Sequence, residues 1–486
     1  MQRASGTLKR EGSECVHEYY CAMKIHLLTR YFLLFGVLSL LPVKAQEANV
    51  TILYSFNNAA GNPGYEPRAG LVEGTNGNFY GVTYQGGTNG FGTIFEMTPS
   101  GAVTEAYDFD RTTGADPQAP LIVGNDGNFY GIALGGEYGL GTAFQFTSAG
   151  AISNFCSFLP PAGDSPAGPL IQGQDGNFYG VTEDSATFGY YGTAYQLQLN
   201  GTITTLCSFN ATDGSEPEGG LVQGPDGALY GTTSTGGTTN DNGANGYGTI
   251  FKVTTNGMFQ SMWSFNETNG SNPHSQLVFG PDGNLYGTTY GGGTNSYEGS
   301  GPGTIFRISP SGNFTSLVSL NDAQGGNIVA GLLLANDGNF YGVTSSGGAD
   351  HDGTIFRVTT NGTFTTLYSF TNADTAWGTL IQGTDGNIYG TTESGGTYGY
   401  GTVFVMKLAA PVPAPVILST VETNETFALT WSAVSNDTYQ VQYSTNLLST
   451  NWTNLNAPVT ATNATASGAD NVTTAAQRFY RVLLLQ

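Results

Sequence analysis

Residues 337–344 read DGNFYGVT and residues 353–356 read GTIF, and these two segments decide the fold of the 486-residue chain. Versions of both recur along it, and self-similarity at a fixed period is the signature of a repeat architecture. The Tyr-Gly pair of the first segment marks seven repeats, spaced 48 to 56 residues apart. Its tyrosines are Tyr80, Tyr130, Tyr179, Tyr230, Tyr286, Tyr341 and Tyr389.

Each repeat contains four short runs in which β-branched or aromatic residues alternate with small or polar ones. This alternation, bounded by Gly, Asn and Asp, predicts β-strands. An Asp-Gly or Asn-Gly pair separates the first run from the second, and such pairs close tight hairpins because both residues tolerate positive φ. Four strands in a meander at this period predict one blade of a β-propeller. We also expect the Tyr of each Tyr-Gly pair and the Phe of each GTIF segment to pack between neighbouring blades.

The ends of the repeat array predict how it closes. The last repeat stops at residues 407–408 without its fourth run, and a matching run, TILYSF, stands at residues 51–56 before the first repeat. An N-terminal strand that completes the last blade removes the unpaired edges of the array. The sequence therefore predicts an all-β fold: a seven-bladed β-propeller of four-stranded blades, closed by its N-terminal strand, over residues 46–408.

The repeated pattern DGNFYGxT followed by GGxxGxGTIF resembles the Gloeobacter–Verrucomicrobia (GloVer) tandem repeat of bacterial exported proteins. The resemblance covers nearly all of residues 50–408 and implies an exported, surface or secreted bacterial protein. It supplies no catalytic residues. The repeats depart from the pattern in places: Ser185-Ala186 replaces Gly-Gly, and Leu320 replaces the Phe that ends the fourth run.

The two ends of the chain read differently from the repeats. Residues 1–45 form a leader in which Met23 is the expected start. It has a basic segment, an apolar run too short to span a membrane permanently and a Val-Lys-Ala cleavage site, which is the layout of a signal peptide. We expect a secreted or cell-surface protein with no later transmembrane segment. Residues 409–415 are a proline-rich linker. Residues 416–486 have alternating runs around Trp431 and are similar to a fibronectin type III or immunoglobulin-like β-sandwich.

Composition excludes some partners and predicts little metal or redox chemistry. The formal charge of −22 argues against a nucleic acid partner, because phosphates would be repelled. We expect Cys156 and Cys207, at equivalent places in neighbouring repeats, to be too far apart for a disulfide. His274 and His351 are expected to be solvated loop residues. We expect no cofactor, although calcium at a few Asp-Gly-Asn turns stays open, as does a weak divalent-cation site at Asp350, His351 and Asp352.

The loops predict where a ligand would bind. In a four-stranded meander the loops between strands 2 and 3 and between blades share one face, and here they are long and variable. The predicted ligand-binding residues on this face are aromatic or acidic. They are Phe91, Tyr190, Tyr191, Tyr247, Tyr297, Tyr400, Glu66, Asp116 and Glu216.

Aromatic rings with carboxylates suit a neutral sugar or a protein partner. The leading hypothesis is therefore an exported, monomeric, non-enzymatic protein that binds a polysaccharide or a protein on the long-loop face. The alternative is a secreted hydrolase or lyase acting on a glycan, with Glu66, Asp116 or Glu216 as acid or base.

Overall fold

The computed structural model describes residues 20–21, 34–35, 49–59, 62–160, 162–184, 191–238, 246–295, 301–371, 374–408, 415–423, 426–435, 437–445, 452–471 and 478–485. Residues 47–408 form one compact unit, and residues 1–46 with 409–486 form a second. Strands β1 (Tyr20–Cys21) and β2 (Leu34–Phe35) pair with each other. The rest of the predicted signal peptide, and linker residues 409–414, lie outside the described residues.

Strands are the only regular secondary structure in the described residues, so the all-β prediction is confirmed. The described part of residues 47–408 forms seven four-stranded antiparallel sheets, numbered here in chain order. This repeating arrangement is consistent with a β-propeller. No helix in the described part of the chain is long and apolar enough to cross a membrane.

The first strand is short, with two or three residues, in every sheet except sheet 3, and the other three strands have four to seven residues. Sheets 1 to 3 contain β4 (Val72–Glu73), β5 (Phe79–Thr83), β6 (Thr93–Met97) and β7 (Val103–Asp108); β8 (Ile122–Val123), β9 (Phe129–Ala133), β10 (Thr142–Phe146) and β11 (Ile152–Ser157); and β12 (Asp164–Gln172), β13 (Phe178–Asp184), β14 (Thr193–Leu197) and β15 (Ile203–Ser208). Sheets 4 and 5 contain β16 (Leu221–Gln223), β17 (Leu229–Thr233), β18 (Thr249–Val253) and β19 (Phe259–Ser264); and β20 (Val278–Phe279), β21 (Leu285–Thr288), β22 (Thr304–Ile308) and β23 (Phe314–Ser319). Sheets 6 and 7 contain β24 (Leu333–Leu334), β25 (Phe340–Thr344), β26 (Thr354–Val358) and β27 (Phe364–Ser369); and β28 (Ile381–Gln382), β29 (Ile388–Thr392), β30 (Thr402–Lys407) and β3 (Asn49–Ser55).

The Asp-Gly turn between the first and second strands both closes the hairpin and holds the buried tyrosine of the Tyr-Gly pair. In sheet 6, Gly338 has φ +78°, a conformation that glycine adopts without steric cost. Asp337 Oδ1 accepts the backbone N–H of Asn339 at 3.0 Å, and Asp337 Oδ2 accepts the Tyr341 hydroxyl at 2.8 Å. The same carboxylate therefore holds both the turn and the core tyrosine in place. Sheet 1 has Asn76 at this position, and there the Tyr80 hydroxyl donates to Glu96 Oε1 at 2.8 Å instead.

Aromatic side chains pack between neighbouring sheets, as predicted. Tyr80 and Phe95 are at most 1% exposed, and the equivalent residues of the other sheets are also buried. The tyrosine of one sheet contacts the first aromatic residue of the next sheet's second strand, with ring centroids 4.2–4.3 Å apart in four of the pairs. These pairs are Tyr80–Phe129, Tyr130–Phe178, Tyr286–Phe340 and Tyr389–Phe79. The last pair joins sheet 7 to sheet 1.

Sheet 7 combines the two ends of the repeat unit. β3 pairs antiparallel with β30, from Asn49 opposite Lys407 to Ser55 opposite Thr402. The next residue, Phe56, is fully buried, and its backbone N–H donates to the carbonyl of Gly401 at 2.9 Å. The N-terminal strand thus supplies the fourth strand of the last sheet.

The second unit contains two sheets that share a core. One sheet consists of β31 (Ile417–Thr423), β32 (Thr426–Ser432) and β36 (Thr465–Asn471). The other consists of β33 (Thr438–Ser444), β34 (Thr453–Asn454), β35 (Val459–Thr460) and β37 (Phe479–Leu485), with β33 pairing with each of the other three. Trp431 from the first sheet and Tyr439 from the second are fully buried in one hydrophobic cluster. Two sheets packed over a buried Trp agree with the strand pattern read from the sequence.

Candidate functional site

A cavity of about 990 Å³ is lined by residues from all seven sheets of the repeat unit. Its wall consists largely of the first strands and the residues just before them. Ligand sites in proteins are concave and typically about 300–1,000 Å³ in volume. The size and the convergence of seven repeats make this cavity the candidate site.

The backbone where each first strand begins follows one geometry; the residue concerned precedes the strand, except in sheet 3, where Ser165 is the second residue of β12. In sheets 1 to 6 a non-glycine residue there has φ between 50° and 58°, which is uncommon for residues with a side chain. The backbone N–H of this residue donates to a backbone carbonyl of the neighbouring sheet, which is sheet 7 for sheet 1 and the preceding sheet for the others. The acceptor is the residue directly before the Gly-Thr pair at the start of that sheet's third strand. The six donor–acceptor pairs are Glu66–Tyr400, Asp116–Phe91, Ser165–Leu140, Glu216–Tyr191, Asn272–Tyr247 and Asn327–Pro302. This contact fixes where each first strand enters the cavity wall.

The position two residues further on lines the cavity in every sheet. We call these seven residues set A; they are Arg68, Gln118, Ala167, Glu218, His274, Val329 and Trp377. A second position comes directly after the second-strand motif, and in three of the sheets its residue (Leu134, Glu183 or Tyr290) also lines the cavity. We call these residues set B; they are Tyr84, Leu134, Glu183, Ser234, Tyr290, Ser345 and Glu393. The described contacts between the two sets form two polar clusters.

The predicted aromatic residues lie in the contacts between sheets. Phe91, Tyr191, Tyr247 and Tyr400 are half-buried, and each packs against one of the hydrophobic clusters. Their carbonyls accept the N–H groups described above, and none of the four is among the described residues lining the cavity. Tyr190 and Tyr297, the other two predicted aromatics, lie outside the described residues.

The three predicted acidic residues are half-buried and belong to three different sheets. Asp116 lines the cavity; burial raises its pKa, and the guanidinium groups of Arg111 and Arg68 oppose that shift. Glu66 Oε2 lies 3.7 Å from Arg68 Nη2, and burial raises the pKa of Glu66. Glu216 accepts the Ser234 hydroxyl through its backbone carbonyl at 3.0 Å.

One polar cluster joins sheets 1 and 7. Arg68 Nε donates to Glu393 Oε1 at 2.7 Å, and its guanidinium carbon lies 3.7 Å from the centre of the Tyr84 ring. With Glu66 nearby, Arg68 is held between two carboxylates and an aromatic face. Such a held guanidinium presents its remaining N–H groups in a fixed direction.

The other cluster joins sheets 3, 4 and 5. The His274 imidazole Nδ1 is hydrogen-bonded to Glu218 Oε2, and the Ser234 hydroxyl donates to Glu218 Oε1 at 3.2 Å. Glu183 lies nearby and lines the same cavity. His274 is 28% exposed and hydrogen-bonded to Glu218, so it is not the freely solvated loop residue that the sequence predicted. It does lie in a loop, and that loop lines the cavity.

Glu183 has a strongly perturbed affinity for protons. The Glu183 side chain is in contact with solvent, but it lies in the cavity, where the surrounding protein replaces part of its hydration shell. Desolvation in the cavity raises the pKa of Glu183 to about 7, and the carboxylates of Glu218, Asp184 and Glu216 add to the effect. His274 opposes it. A carboxyl group with this pKa is half-protonated near neutral pH.

Two large aromatic residues are exposed in the cavity wall. Tyr290 is 38% exposed and Trp377 is 41% exposed. The Tyr290 ring also meets the His274 ring edge-on, with centroids 5.4 Å apart. Sequence reasoning missed both aromatics, together with Arg68, Glu183 and Glu218. Alignment of the repeats at the position two residues after the Glu66 equivalents would have found set A.

The described residues contain no group of three or more His, Cys, Asp or Glu side chains arranged to hold a metal ion. In the candidate cation loop, His351 is 72% exposed, and its Nδ1 lies 3.6 Å from Asp322 Oδ2. Asp350 and Asp352 flank it in sequence. Cys156 and Cys207 are free thiols, in agreement with the prediction.

Comparison with solved structures finds similar folds at low identity. A gluconolactonase from Xanthomonas campestris is 11% identical, with 74% of this chain and 90% of that chain covered and a TM-score of 0.39. A luciferin-regenerating enzyme is 13% identical, with 58% of this chain and 88% of that chain covered and a TM-score of 0.37. Similarity at this level does not identify a function.

Comparison with curated proteins finds no match. The Gloeobacter/Verrucomicrobia repeat family model matches residues 39–241 and 190–404, which together include nearly the whole repeat unit. The chain therefore belongs to the Gloeobacter/Verrucomicrobia repeat family.

Proposed function

We propose that this protein is an exported, non-enzymatic binding protein that holds a saccharide in the cavity formed by set A. In this proposal the seven sheets are the blades of a closed seven-bladed propeller, and the protein acts as a monomer without a cofactor. The C-terminal unit serves as a fibronectin type III-like spacer or auxiliary binding module. The predicted long-loop residues would form the rim around the cavity.

The observation that carries the proposal is a contrast between two positions of the same repeat. Three residues after set A, all seven repeats have leucine, and each leucine is at most 5% exposed. At set A itself, all seven repeats have a different residue. Packing requires the same side chain in each blade, so the leucines are uniform. Set A has no such packing requirement, and its diversity fits recognition of an asymmetric ligand.

The exposed aromatics favour a saccharide over other small ligands. Trp377 and Tyr290 present apolar ring faces inside a concave wall that combines apolar residues with a few polar and charged ones. Sugar rings have apolar C–H faces that stack on such rings and hydroxyl rims that hydrogen-bond to carboxylates and amides. Glu183, Glu218 and Gln118 supply those polar groups.

A second candidate function is supported by one observation. Glu183, with a pKa of about 7, lies near the hydrogen-bonded pair Glu218 and His274. A carboxyl group that keeps its proton near neutral pH is suited to general acid catalysis. A secreted glycan hydrolase or lyase is therefore the alternative, with Glu183 joining Glu66, Asp116 and Glu216 as acid–base candidates.

The test is retention on a glycan array and on insoluble polysaccharides, with the wild type compared with Trp377→Ala and Tyr290→Ala. We expect each variant to lose roughly tenfold or more in affinity, since stacked aromatic groups often dominate binding. Tyr138→Ala is the matched control, because Tyr138 is 54% exposed outside the cavity lining. Release of new reducing ends by the wild type but not by Glu183→Gln would favour the enzyme. Failure of every glycan to bind would overturn the proposal.

A further inference from the structure

We propose that the saccharide bound in this cavity is an amino sugar, recognised through a protonated amine by Glu183 and Glu218 beside the Tyr290 ring. This inference rests on the proposed saccharide-binding function and names the class of its ligand. It is argued from the distribution of charge around the cavity, from the pairing of its cations and from the position of its aromatic residues.

The charged groups of the wall are unevenly distributed. On the side of sheets 3 to 5, Glu183, Glu218 and His274 line the cavity, and the carboxylates of Asp184 and Glu216, which are not among the lining residues, lie close enough to Glu183 to raise its pKa. On the side of sheets 1, 2 and 7, the carboxylates of Glu66, Asp116 and Glu393 surround Arg68, with Arg111 near Asp116. Carboxylates therefore outnumber cations on both sides, most strongly beside Glu183.

The basic side chains of the wall are already engaged by protein carboxylates. Arg68 is bound to Glu393 and lies next to Glu66, and His274 is bound to Glu218. Among the described residues, no cationic nitrogen lies within ion-pair distance of Glu183. Glu183 therefore faces the cavity as a carboxylate without a cationic partner in the described structure.

The excess of carboxylates near Glu183 also contributes to its raised pKa. Neighbouring carboxylates and poor hydration make a negative charge costly at this position. A ligand cation would remove much of that cost, because an opposite charge nearby favours the ionised carboxylate. A neutral ligand would cover Glu183 without compensating its charge, and a uronic acid would add a further repulsion.

The aromatic residues complete the recognition of an ammonium group on a sugar. Tyr290 lies against the His274 ring, and the Nδ1 atom of that ring is hydrogen-bonded to the Glu218 carboxylate. An ammonium group gains from a carboxylate and from an aromatic face, and the sugar ring to which it is attached stacks on such a face. Trp377, from sheet 7, offers a second stacking surface in the same cavity.

The experiment compares two ligands of equal length by isothermal titration calorimetry at neutral pH, where about half of Glu183 is ionised before the ligand binds. One is a glucosamine oligosaccharide, and the other is its fully N-acetylated form, which has the same ring without the positive charge. We expect the amine form to bind at least about tenfold more tightly, with an affinity that falls as salt is added. Glu183→Gln and Glu218→Gln should each remove most of this preference. Glu105→Gln, on the outer strand of sheet 1, should retain it.

The outcomes separate the two proposals. If the acetylated form binds as tightly as the amine form and Trp377→Ala abolishes that binding, the saccharide site stands and the amino-sugar inference is overturned. The inference also fails if Glu183→Gln and Glu218→Gln keep the full preference while their melting curves show a folded protein. If neither ligand nor any other glycan binds the wild type, the proposed function itself is wrong.

Discussion

Arg68 and Glu393 are 325 residues apart in sequence, yet Arg68 Nε donates a hydrogen bond to Glu393 Oε1 at 2.7 Å. The pair joins sheet 1 to sheet 7 at the edge of the cavity. A second contact joins the same two sheets, because the Thr384 backbone N–H donates to Glu73 Oε2 at 2.8 Å. One of the two contacts between the first and last sheets therefore involves a residue that lines the candidate site, while Glu73 and Thr384 lie outside its lining.

The Arg68–Glu393 pair is predicted to contribute modestly to stability. Both side chains are partly exposed, at 26% and 18%, so water screens their attraction. A double-mutant cycle of Arg68→Gln and Glu393→Gln, measured by urea unfolding, should give a coupling free energy of about 1 kcal/mol or less. A coupling free energy of several kcal/mol would show that the association of sheet 1 with sheet 7 depends strongly on this one contact.

The N-terminal strand is predicted to be necessary for a stable repeat unit. Phe56 is fully buried where β3 meets sheet 7, so Phe56→Ala should lower the free energy of unfolding by about 3–5 kcal/mol. Ile52→Ala is the control, since Ile52 lies on the same strand but is 41% exposed and should change stability far less. Deletion of residues 46–57 should lower the melting temperature sharply. An unchanged melting curve for the deletion would contradict the importance of the β3–β30 pairing.

Tyr195 is predicted to be a site where a substitution stabilises the protein. It occupies a position that is Phe in the other six sheets, and its fully buried hydroxyl has no hydrogen-bond partner among the described residues. An unsatisfied buried polar group costs about 1–3 kcal/mol, so Tyr195→Phe should raise the free energy of unfolding by roughly 1 kcal/mol or more.

The matched control for Tyr195 lies in the same sheet. The Tyr179 hydroxyl donates to Asp175 Oδ2 at 2.8 Å and accepts from Gln196 Nε2 at 2.8 Å. Tyr179→Phe should therefore lower the free energy of unfolding by about 0.5–1.5 kcal/mol. Equal effects of the two substitutions in chemical denaturation would show that the Tyr195 hydroxyl is satisfied in solution.

Glu183 is predicted to make stability depend on pH. Its pKa rises from 4.5 to about 7 on folding, so the folded protein binds more protons than the unfolded chain between these values. The contribution of Glu183 is therefore fully present below pH 4.5 and is lost as the pH rises through 7. Glu183→Gln, which cannot ionise, should show a smaller decline in melting temperature over this interval.

Comparison with an exposed acidic residue isolates this effect. Glu137 is an exposed glutamate in sheet 2, and Glu137→Gln should follow the wild-type pH profile. The comparison is the difference in melting temperature between each variant and the wild type, measured from acidic to mildly alkaline pH. A constant difference for Glu183→Gln across the range would argue against the raised pKa.

The thiols of Cys156 and Cys207 are predicted to react slowly in the folded repeat unit, and the test uses the chain without residues 1–45, which contain the other two cysteines. Burial raises the pKa of Cys156 to about 11 and that of Cys207 to about 12, which leaves little thiolate at neutral pH. Labelling with a chromogenic disulfide reagent at mildly alkaline pH should be roughly a hundredfold slower in buffer than in denaturant. Equally fast labelling under both conditions would show that the thiols are accessible and ionised.

The sheets could be predicted from sequence because their determinants are local. The Asp337-Gly338 turn and the alternation in residues 340–344 act within a few residues of the chain, and each is repeated seven times. The burial of Tyr80 and Phe95 also follows from their place in a repeat that must cover both faces of a blade.

The candidate site could not be predicted in the same way. Sequence reasoning selected Phe91, Tyr247 and their equivalents as ligand contacts because they are aromatic residues in loops. The structure places them in the contacts between sheets, where a single backbone hydrogen bond per sheet sets the entry of each first strand. Whether such side chains also reach a ligand is decided by how the sheets are arranged around the cavity.

The sequence by itself determined the strands, their turns and the order of the repeats, because hydrogen-bonded hairpins form between neighbouring segments. Only the tertiary structure decided that Glu183, Glu218 and His274, from three different sheets, would meet in one cavity. Their proximity depends on the curvature accumulated over successive sheets, which no single repeat specifies. The affinity of Glu183 for protons follows from that proximity, because charge interactions and loss of hydration depend on distance in space and not on separation along the chain.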